Sequence, residues 1–160
     1  MNNQADVSVI IPMHNAATYI GRTIASILEQ VQHNLNLEII VVDDASTDRS
    51  RELIRNLQID TPIIKLIELQ KNGGTAHARN TGLQHARGAW VQFVDSDDRI
   101  CPDLYQKFER AQKPGFNCYV FSLIIEHHDR TVKRTITTVK DKRALGYFYA
   151  ESLGVNPIQD

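Results

Sequence analysis

Three acids in four positions, Asp95, Asp97 and Asp98 with Ser96 between them, close the apolar run 89–94. Carboxylates this close either raise one another's pKa or recruit a cation, and hard divalent ions take such oxygens together with substrate phosphates. A bound Mg2+ or Mn2+ is the sharper reading, and an acidic turn capping the following helix, with Asp98 or Asp103 near its N-terminus, is the plainer one. A second acidic group, Asp43, Asp44 and Asp48, follows the apolar run 37–42 in the same way. The carboxyl edge of a parallel sheet is the usual ligand crevice of open α/β folds. One of Asp43 and Asp44 is therefore placed to accept a hydrogen bond from a nucleobase imide, whereas Ser46, Thr47 or Asp48 suits a helix N-cap.

Two further loops carry polar chemistry. In the stretch 72–82, Asn72, Gly73 and Gly74 lead into a helix bearing Arg79. Backbone N–H groups at a helix start attract phosphate and glycines let it approach, so this loop fits a diphosphate, although it lacks the P-loop lysine and the dinucleotide glycine spacing. The competing reading is a plain cap, with Arg79 paired to one of the acidic clusters. The run Pro12-Met13-His14-Asn15 ends the first apolar stretch; His14 can pack on a base or donate to a phosphate, and Asn15 can equally cap a helix. Glu126, His127, His128 and Asp129 concentrate metal-ligand types, but neighbours on a strand point to opposite faces, which favours a solvated turn. Tyr147, Phe148 and Tyr149 fit a core or interface better than a sugar platform.

The elements that must position these loops follow from periodicity. Runs 7–12, 37–42, 63–69 and 89–94 are short and nearly continuous in apolar residues, as strands covered by helices on both faces require. Helices are predicted between them. The first spans 16–31, with Ile20, Ile24, Ile27, Leu28 and Val31 buried and Arg22, Glu29 and Gln30 on the polar face. The second starts near Asp48 with Leu53, Ile54 and Leu57 inward and stops at Thr61-Pro62. The third passes through Ala78 and Leu83 to a terminal Gly88, and the fourth spans 102–112. Residues 118–125 read as a fifth strand, 131–139 as an edge strand and 145–153 as a terminal helix. The alternation is that of repeated βα units.

Composition narrows the partners. The 160 residues hold 18 Lys and Arg against 19 Asp and Glu, which removes any global field favouring nucleic acid. Two cysteines, Cys101 and Cys118, match neither a metal spacing nor a disulfide scaffold. The first residues lack a basic leader and the apolar run 7–13 is too short for a signal core or a membrane span. A cytoplasmic protein, compatible with peripheral membrane attachment, is expected.

Taken in chain order, Val9-Ile10-Ile11-Pro12 with Asn15, then Glu38 through Val41-Val42-Asp43-Asp44-Ala45-Ser46-Thr47-Asp48, then Asn72 to Gly82, then Phe93-Val94-Asp95-Ser96-Asp97-Asp98, resemble the inverting glycosyltransferases of family 2. Members of that family have the GT-A fold, a Rossmann-like, mostly parallel sheet flanked by helices. The resemblance implies that Pro12 lies at the nucleoside pocket, that Asp43 reads the base, and that Asp95 and Asp97 form a DXD-type motif holding ribose, metal and diphosphate, with Asp98 and Arg79 as neighbours. The expected substrate-binding set is Pro12, His14, Asn15, Asp43, Asp44, Asn72, Gly74, Arg79, Asp95 and Ser96; the expected metal ligands are Asp95 and Asp97. The implied donor is a nucleoside-diphosphate sugar, with UDP-sugars favoured, and the implied reaction is a single displacement at the anomeric carbon.

That resemblance covers roughly 7–125, giving a donor-binding core over 1–125 and an edge strand with a C-terminal segment over 126–160. The acceptor half of the family's fold is largely missing from the match. Beyond the fourth helix, Glu126, Asp129, Asp141 and Glu151 fall in no motif for the catalytic base, which stays unassigned. A non-catalytic, nucleotide-binding module of the same fold is the alternative function. A phosphoacceptor receiver domain is disfavoured because its acid pair follows the first strand and its third strand ends in a phosphorylatable Asp, whereas 66–69 offers only Glu68. Two departures from the family pattern stand out: Ala45 replaces a more usual glycine, and His14 stands where Tyr is frequent.

Overall fold

The Val- and Ile-rich composition of the first two apolar runs suits extended backbone packed on both faces. In the computed structural model, which describes residues 5–32, 35–111, 123–126 and 131–134, they form β1 (Val7–Met13) and β2 (Leu37–Asp43). All of β1 is buried, and in β2 only Glu38 is not. The two pair in parallel from Val7 opposite Leu37 to Met13 opposite Asp43. β3 (Ile64–Glu68) adds in parallel to β2, and β4 (Trp90–Phe93) adds in parallel to β1, giving the order β3-β2-β1-β4. Of the four strands of this sheet, the two central ones are buried nearly throughout. β4 alternates, leaving Val91 and Phe93 exposed. The crossovers bring the ends of β1 and β4 side by side although they are some eighty residues apart in sequence.

Helix α1 (Ile20–Leu28) buries Ile20, Ile24 and Ile27 and passes into a 3-10 turn over Glu29–Gln32. Each fully buried isoleucine contributes roughly 1.5–3 kcal/mol. Two expectations for this helix are corrected. It starts after a turn at Ala16–Tyr19 rather than at Ala16, and Gln30 is only 2% exposed instead of lying on the polar face. The tighter 3-10 turn rotates Gln30 inward.

Helix α2 (Ser50–Asp60) buries Ile54, with Leu53 and Leu57 half-buried. Of the expected caps Ser46, Thr47 and Asp48, it is Asp48 that bonds the start of the helix: its carboxylate accepts from the Ser50 N–H at 3.0 Å and the Ser50 hydroxyl at 2.5 Å, and from the Ala17 N–H at 3.0 Å. Desolvation opposes the charge there, but these bonds outweigh it and hold the Asp48 carboxyl below its ordinary value.

Helix α3 (Thr75–His85) packs through small residues, not through Leu83, which is exposed. Ala78 joins Ile10, Ile40 and Val42 in one core cluster. A Cβ on Gly82 would stand 2.4 Å from Ile10 Cγ2, so the missing side chain is what lets the helix reach the sheet. Gly88 is likewise no helix cap. α3 ends at His85, and a Cβ at Gly88 would stand 2.5 Å from the Ser8 backbone nitrogen, where the chain enters β4.

Helix α4 (Leu104–Ala111) follows a turn in which Asp103 has φ 62°. The Tyr105 hydroxyl donates to Gln92 Oε1 on β4 at 2.5 Å, and burial pushes its pKa up. The chain divides into two compact units, Met1–Lys107 and Phe108–Asp160. In the second unit, β5 (Leu123–Glu126) and β6 (Thr131–Arg134) pair antiparallel, Leu123 opposite Arg134. His127, His128, Asp129, Cys118, Asp141, Glu151 and the aromatic run 147–149 lie outside the described residues, as does the expected terminal helix.

Ala45 occupies the left-handed region at φ 56°, which turns the chain after Asp44 so that the Ser46 N–H points back to the Asp43 carboxylate. That conformation costs an L-residue roughly 1–2 kcal/mol, and glycine escapes the cost while losing up to about 1 kcal/mol through the unfolded chain. Ala45→Gly is expected to raise stability by about 0.5–1 kcal/mol in urea denaturation. An unchanged or lower midpoint would contradict the strain assigned to this turn.

Candidate functional site

The parallel sheet presents its carboxyl edge at Met13, Asp43, Glu68 and Phe93, and the loops leaving β1, β2 and β4 meet there. Between them lies a cavity of about 270 Å³ walled by Pro12, Met13 and His14 on one side, Asp95, Ser96 and Asp97 on the other, with Asp44, Thr75 and Ala78 closing it. Its size is near the lower end for small-molecule sites. A larger groove, about 810 Å³, runs along the opposite edge past Ala5, Glu38, Lys65 and Arg87. There the Glu38 carboxylate is engaged by the Ser8 hydroxyl at 2.6 Å and the Arg87 N–H at 2.6 Å. The first cavity instead gathers three acids, Asp44, Asp95 and Asp97, and among the described residues the Asp97 carboxylate accepts from no protein donor.

The acidic loop is the cavity's charged wall. Asp95 is half-exposed and receives Arg79 Nη2 at 2.5 Å on Oδ1. The guanidinium also lies 5.8 Å from the centroid of the Phe93 ring. Of the two readings of Arg79, the internal ion pair is the one observed. The Asp98 N–H donates to the Asp95 carbonyl at 3.0 Å, folding the loop into a turn, and Arg22 Nη2 donates to the Asp97 carbonyl at 3.3 Å. Among the described residues no protein donor reaches the Asp97 carboxylate. Partial desolvation, then the charges of Asp95 and Asp97, hold the Asp98 carboxyl above its ordinary value, so the loop carries negative charge that Arg79 alone does not offset.

These residues fit a hard divalent cation of the kind that binds with its substrate. Among the described residues, Asp95 keeps one oxygen without a protein donor and Asp97 keeps both, and Mg2+ in particular is held by one or two carboxylates plus phosphate and water. No cluster of three or more protein ligands exists among the described residues, so a cation here would complete its shell with diphosphate oxygens and water.

The opposite wall is held by β1–β2 loop contacts. His14 Nδ1 lies 2.8 Å from the Asp44 carbonyl, which only accepts, so the proton sits on Nδ1 and Nε2 accepts from the Asn15 amide at 3.2 Å. Asn15, at φ 50°, does not cap α1. Its Oδ1 accepts from the Thr47 N–H at 2.8 Å and the Asp48 N–H at 3.3 Å, while its own N–H donates to the Ser46 hydroxyl at 3.0 Å. It staples the two loops and does not line the cavity.

Asp43 and Asp44 part company because alternate strand residues point to different faces. Asp43 is fully buried and lies outside the cavity wall. Arg51 donates to its Oδ2 from Nε at 2.9 Å and Nη2 at 2.6 Å, and the same arginine reaches Glu68 at 3.4 Å. The Asp44 carboxylate instead accepts the Gly73 and Gly74 N–H groups, both at 2.7 Å. Those are the amides the sequence offered to a phosphate. Asn72 Oδ1 also accepts from the Gly74 N–H, at 3.1 Å, and neither residue lines the cavity.

The structure thus brings together Pro12, His14, Asp44, Asp95, Ser96 and Asp97, with Arg79 behind Asp95, and leaves Asn15, Asp43, Asn72 and Gly74 as supports. Met13, Thr75 and Ala78 were missed. Thr75 and Ala78 sit in the first turn of α3, one helical turn apart, a spacing that marked them only as helix.

A sequence profile of glycosyl transferase family 2 matches residues 8–155. An uncharacterised glycosyltransferase of Haemophilus influenzae is 41% identical over 105 residues, covering 66% of this chain and 41% of that protein. The putative teichuronic acid biosynthesis glycosyltransferase TuaG of Bacillus subtilis is 41% identical over 123 residues, 75% of this chain and 48% of TuaG. Among solved structures, S. aureus TarS 1-349 in complex with UDP-GlcNAc superposes with a TM-score of 0.60 at 33% identity, over 66% of this chain and 30% of that one. The mannosyltransferase PcManGT of Pyrobaculum calidifontis, in complex with GDP-Man and Mn2+, gives 0.63 at 33% identity over 72% and 34%. This chain spans less than half the length of these curated relatives. Its parallel sheet with flanking helices is GT-A-like.

Proposed function

We propose, for a chain that belongs to glycosyl transferase family 2, that it is the donor-binding part of a glycosyltransferase taking a nucleoside-diphosphate sugar, a UDP-sugar first, and passing the sugar with inversion to an acceptor hydroxyl. The observation that carries this is the cavity in which Asp95 and Asp97 face Pro12 and His14 across the ends of adjacent strands β4 and β1. TarS with UDP-GlcNAc and PcManGT with GDP-Man and Mn2+ lend support from proteins of similar fold.

In this reading Asp95 and Asp97 would hold Mg2+ or Mn2+, which when bound supplies positive charge to the departing diphosphate. Pro12 and His14 form the wall against the nucleoside, and the fixed Nδ1–H tautomer keeps the imidazole edge in one orientation. Arg79 fixes the Asp95 rotamer. Asp43 acts from behind the wall, ordering Arg51 and the Ser46 turn, since both its oxygens are engaged. In the transfer, the acceptor oxygen forms its bond to the anomeric carbon as the bond from that carbon to the diphosphate breaks. The acceptor proton leaves to a catalytic base that stays unassigned. A cytoplasmic setting, at a membrane surface where the acceptor is lipid-linked, is the companion proposal; no described helix is long and apolar enough to cross a membrane.

Titration calorimetry of UDP with Mn2+ and with EDTA tests the reading. Binding is expected with the metal and weak or absent without it. Failure of UDP, GDP and the other nucleoside diphosphates to bind in either condition would remove the donor site.

A further inference from the structure

We propose that Thr23 and Ser26 on α1 and Gln30 in the 3-10 turn that continues it form a positioning stripe that sets the backbone of the acidic loop for the metal and diphosphate, a role that rests on the donor-site reading above. Thr23 and Ser26 interleave with Ile20, Ile24 and Ile27 on the inward face of the helix, and the 3-10 turn brings Gln30 to the same side. All three are buried, at 0%, 3% and 2% exposure. Polar groups in such places cost stability unless bonded, and apolar side chains of the same size would fill the space without that cost.

Each stripe residue bonds the loop rather than its own surroundings alone. The Thr23 hydroxyl donates to the Ser96 carbonyl at 2.9 Å, in preference to the Tyr19 carbonyl at 3.4 Å. The Ser26 hydroxyl donates to the Thr23 carbonyl at 2.8 Å, which leaves its oxygen to accept the Ile100 N–H at 3.1 Å. Gln30 Nε2 donates to the Cys101 carbonyl at 3.3 Å. Arg22, one position outside the stripe and stacked 4.7 Å from the Tyr19 ring, adds the bond to the Asp97 carbonyl.

The loop is therefore tied along its whole length by residues more than seventy positions away in sequence. Its carbonyls at Ser96, Asp97 and Cys101 face α1, and Asp95 and Asp97 line the cavity. Like charges held this close repel, and a loop tied only at its ends would relieve the repulsion by opening. Fixing the backbone keeps both carboxylates at one spacing before a cation arrives, which is the preorganisation a weakly liganded ion site needs.

The experiment compares the parent chain with Thr23→Val, Thr23→Ser and, as a control in the same helix, Ile24→Val. Amide hydrogen exchange over residues 95–101 is read without nucleotide, and UDP binding is read with Mn2+ and with EDTA. Thr23→Val is expected to speed exchange in the loop about tenfold with the β1 and β2 amides unchanged, and to weaken Mn2+-supported UDP binding about five- to tenfold. Metal-free binding should not move, and Thr23→Ser should restore both signals. Ile24→Val should alter exchange across the core without singling out the loop. Parental loop exchange and parental Mn2+-supported affinity in Thr23→Val, or no recovery in Thr23→Ser, overturns the stripe. A parent that binds no nucleotide overturns the donor-site reading instead, and the exchange measurement then decides on its own whether the stripe orders the loop.

Discussion

Asp44→Ala is expected to lose about 2–3 kcal/mol of stability and to open the wall of the cavity. The Asp44 side chain is 97% hidden in effect, with a residue exposure of 3%, and its two oxygens take the Gly73 and Gly74 N–H groups at 2.7 Å each. Hydrogen bonds to a charged group contribute roughly 1.5–3 kcal/mol apiece. The glycines are exposed, so water recovers part of what their amides lose, and the sum is discounted to the figure given. Asp44→Asn keeps one acceptor but sets an NH2 group against an N–H, so it should recover less than half. Because α3 begins next to these glycines, Thr75 should shift and UDP affinity should fall with stability. Urea denaturation of the two variants checks this, and an Asp44→Ala midpoint equal to the parent's would falsify the tether.

Asp97→Ala should behave in the opposite way, leaving the fold alone and removing the metal-dependent part of nucleotide binding. Asp97 is exposed and among the described residues its carboxylate meets no protein donor, so stability should stay within about 0.5 kcal/mol of the parent. Its removal also takes away the smallest of the influences that hold the Asp98 carboxyl up, after desolvation and the charge of Asp95. With Asp95 and Asp97 as the two proposed carboxylate ligands, the cation would lose one of them, and Mn2+-supported UDP binding should weaken by at least about a hundredfold, some 2.7 kcal/mol. Binding in EDTA should be unchanged. Asp98→Asn, one residue on and outside the cavity wall, should cost far less. If Asp97→Ala retained Mn2+-supported affinity while Asp98→Asn lost it, the ligand assignment would have to move.

The contrast between these two acids shows how far a sequence reading reaches. Both stood out by the same signal, an acid at the end of an apolar run. Asp97 ends on the cavity with its charge exposed, and Asp44 ends there with its charge bound to backbone amides. Asp43, one residue earlier, carried the base-reading expectation and accepts from Arg51. Arg51 itself drew no notice, because an arginine in the first turn of an amphipathic helix is ordinarily a solvated residue. The α1 stripe had a legible signal that went unused: Thr23 and Ser26 fall between isoleucines at core-facing positions, where a polar residue needs a reason.

By itself the sequence determined the order of strands and helices, the burial of β1 and β2, and which loops carry acids and glycines, because those depend on periodicity and local turn chemistry. The tertiary structure decided the partners. Placing β4 beside β1 joined Asp95 and Asp97 to Pro12 and His14, and it set α1 against the acidic loop. Which carboxylate is tied down and which stays open to a ligand depends on contacts across tens of residues, such as Asp44 with Gly74 and Thr23 with Ser96. Such contacts are fixed by strand order and packing, and local propensity carries no record of them.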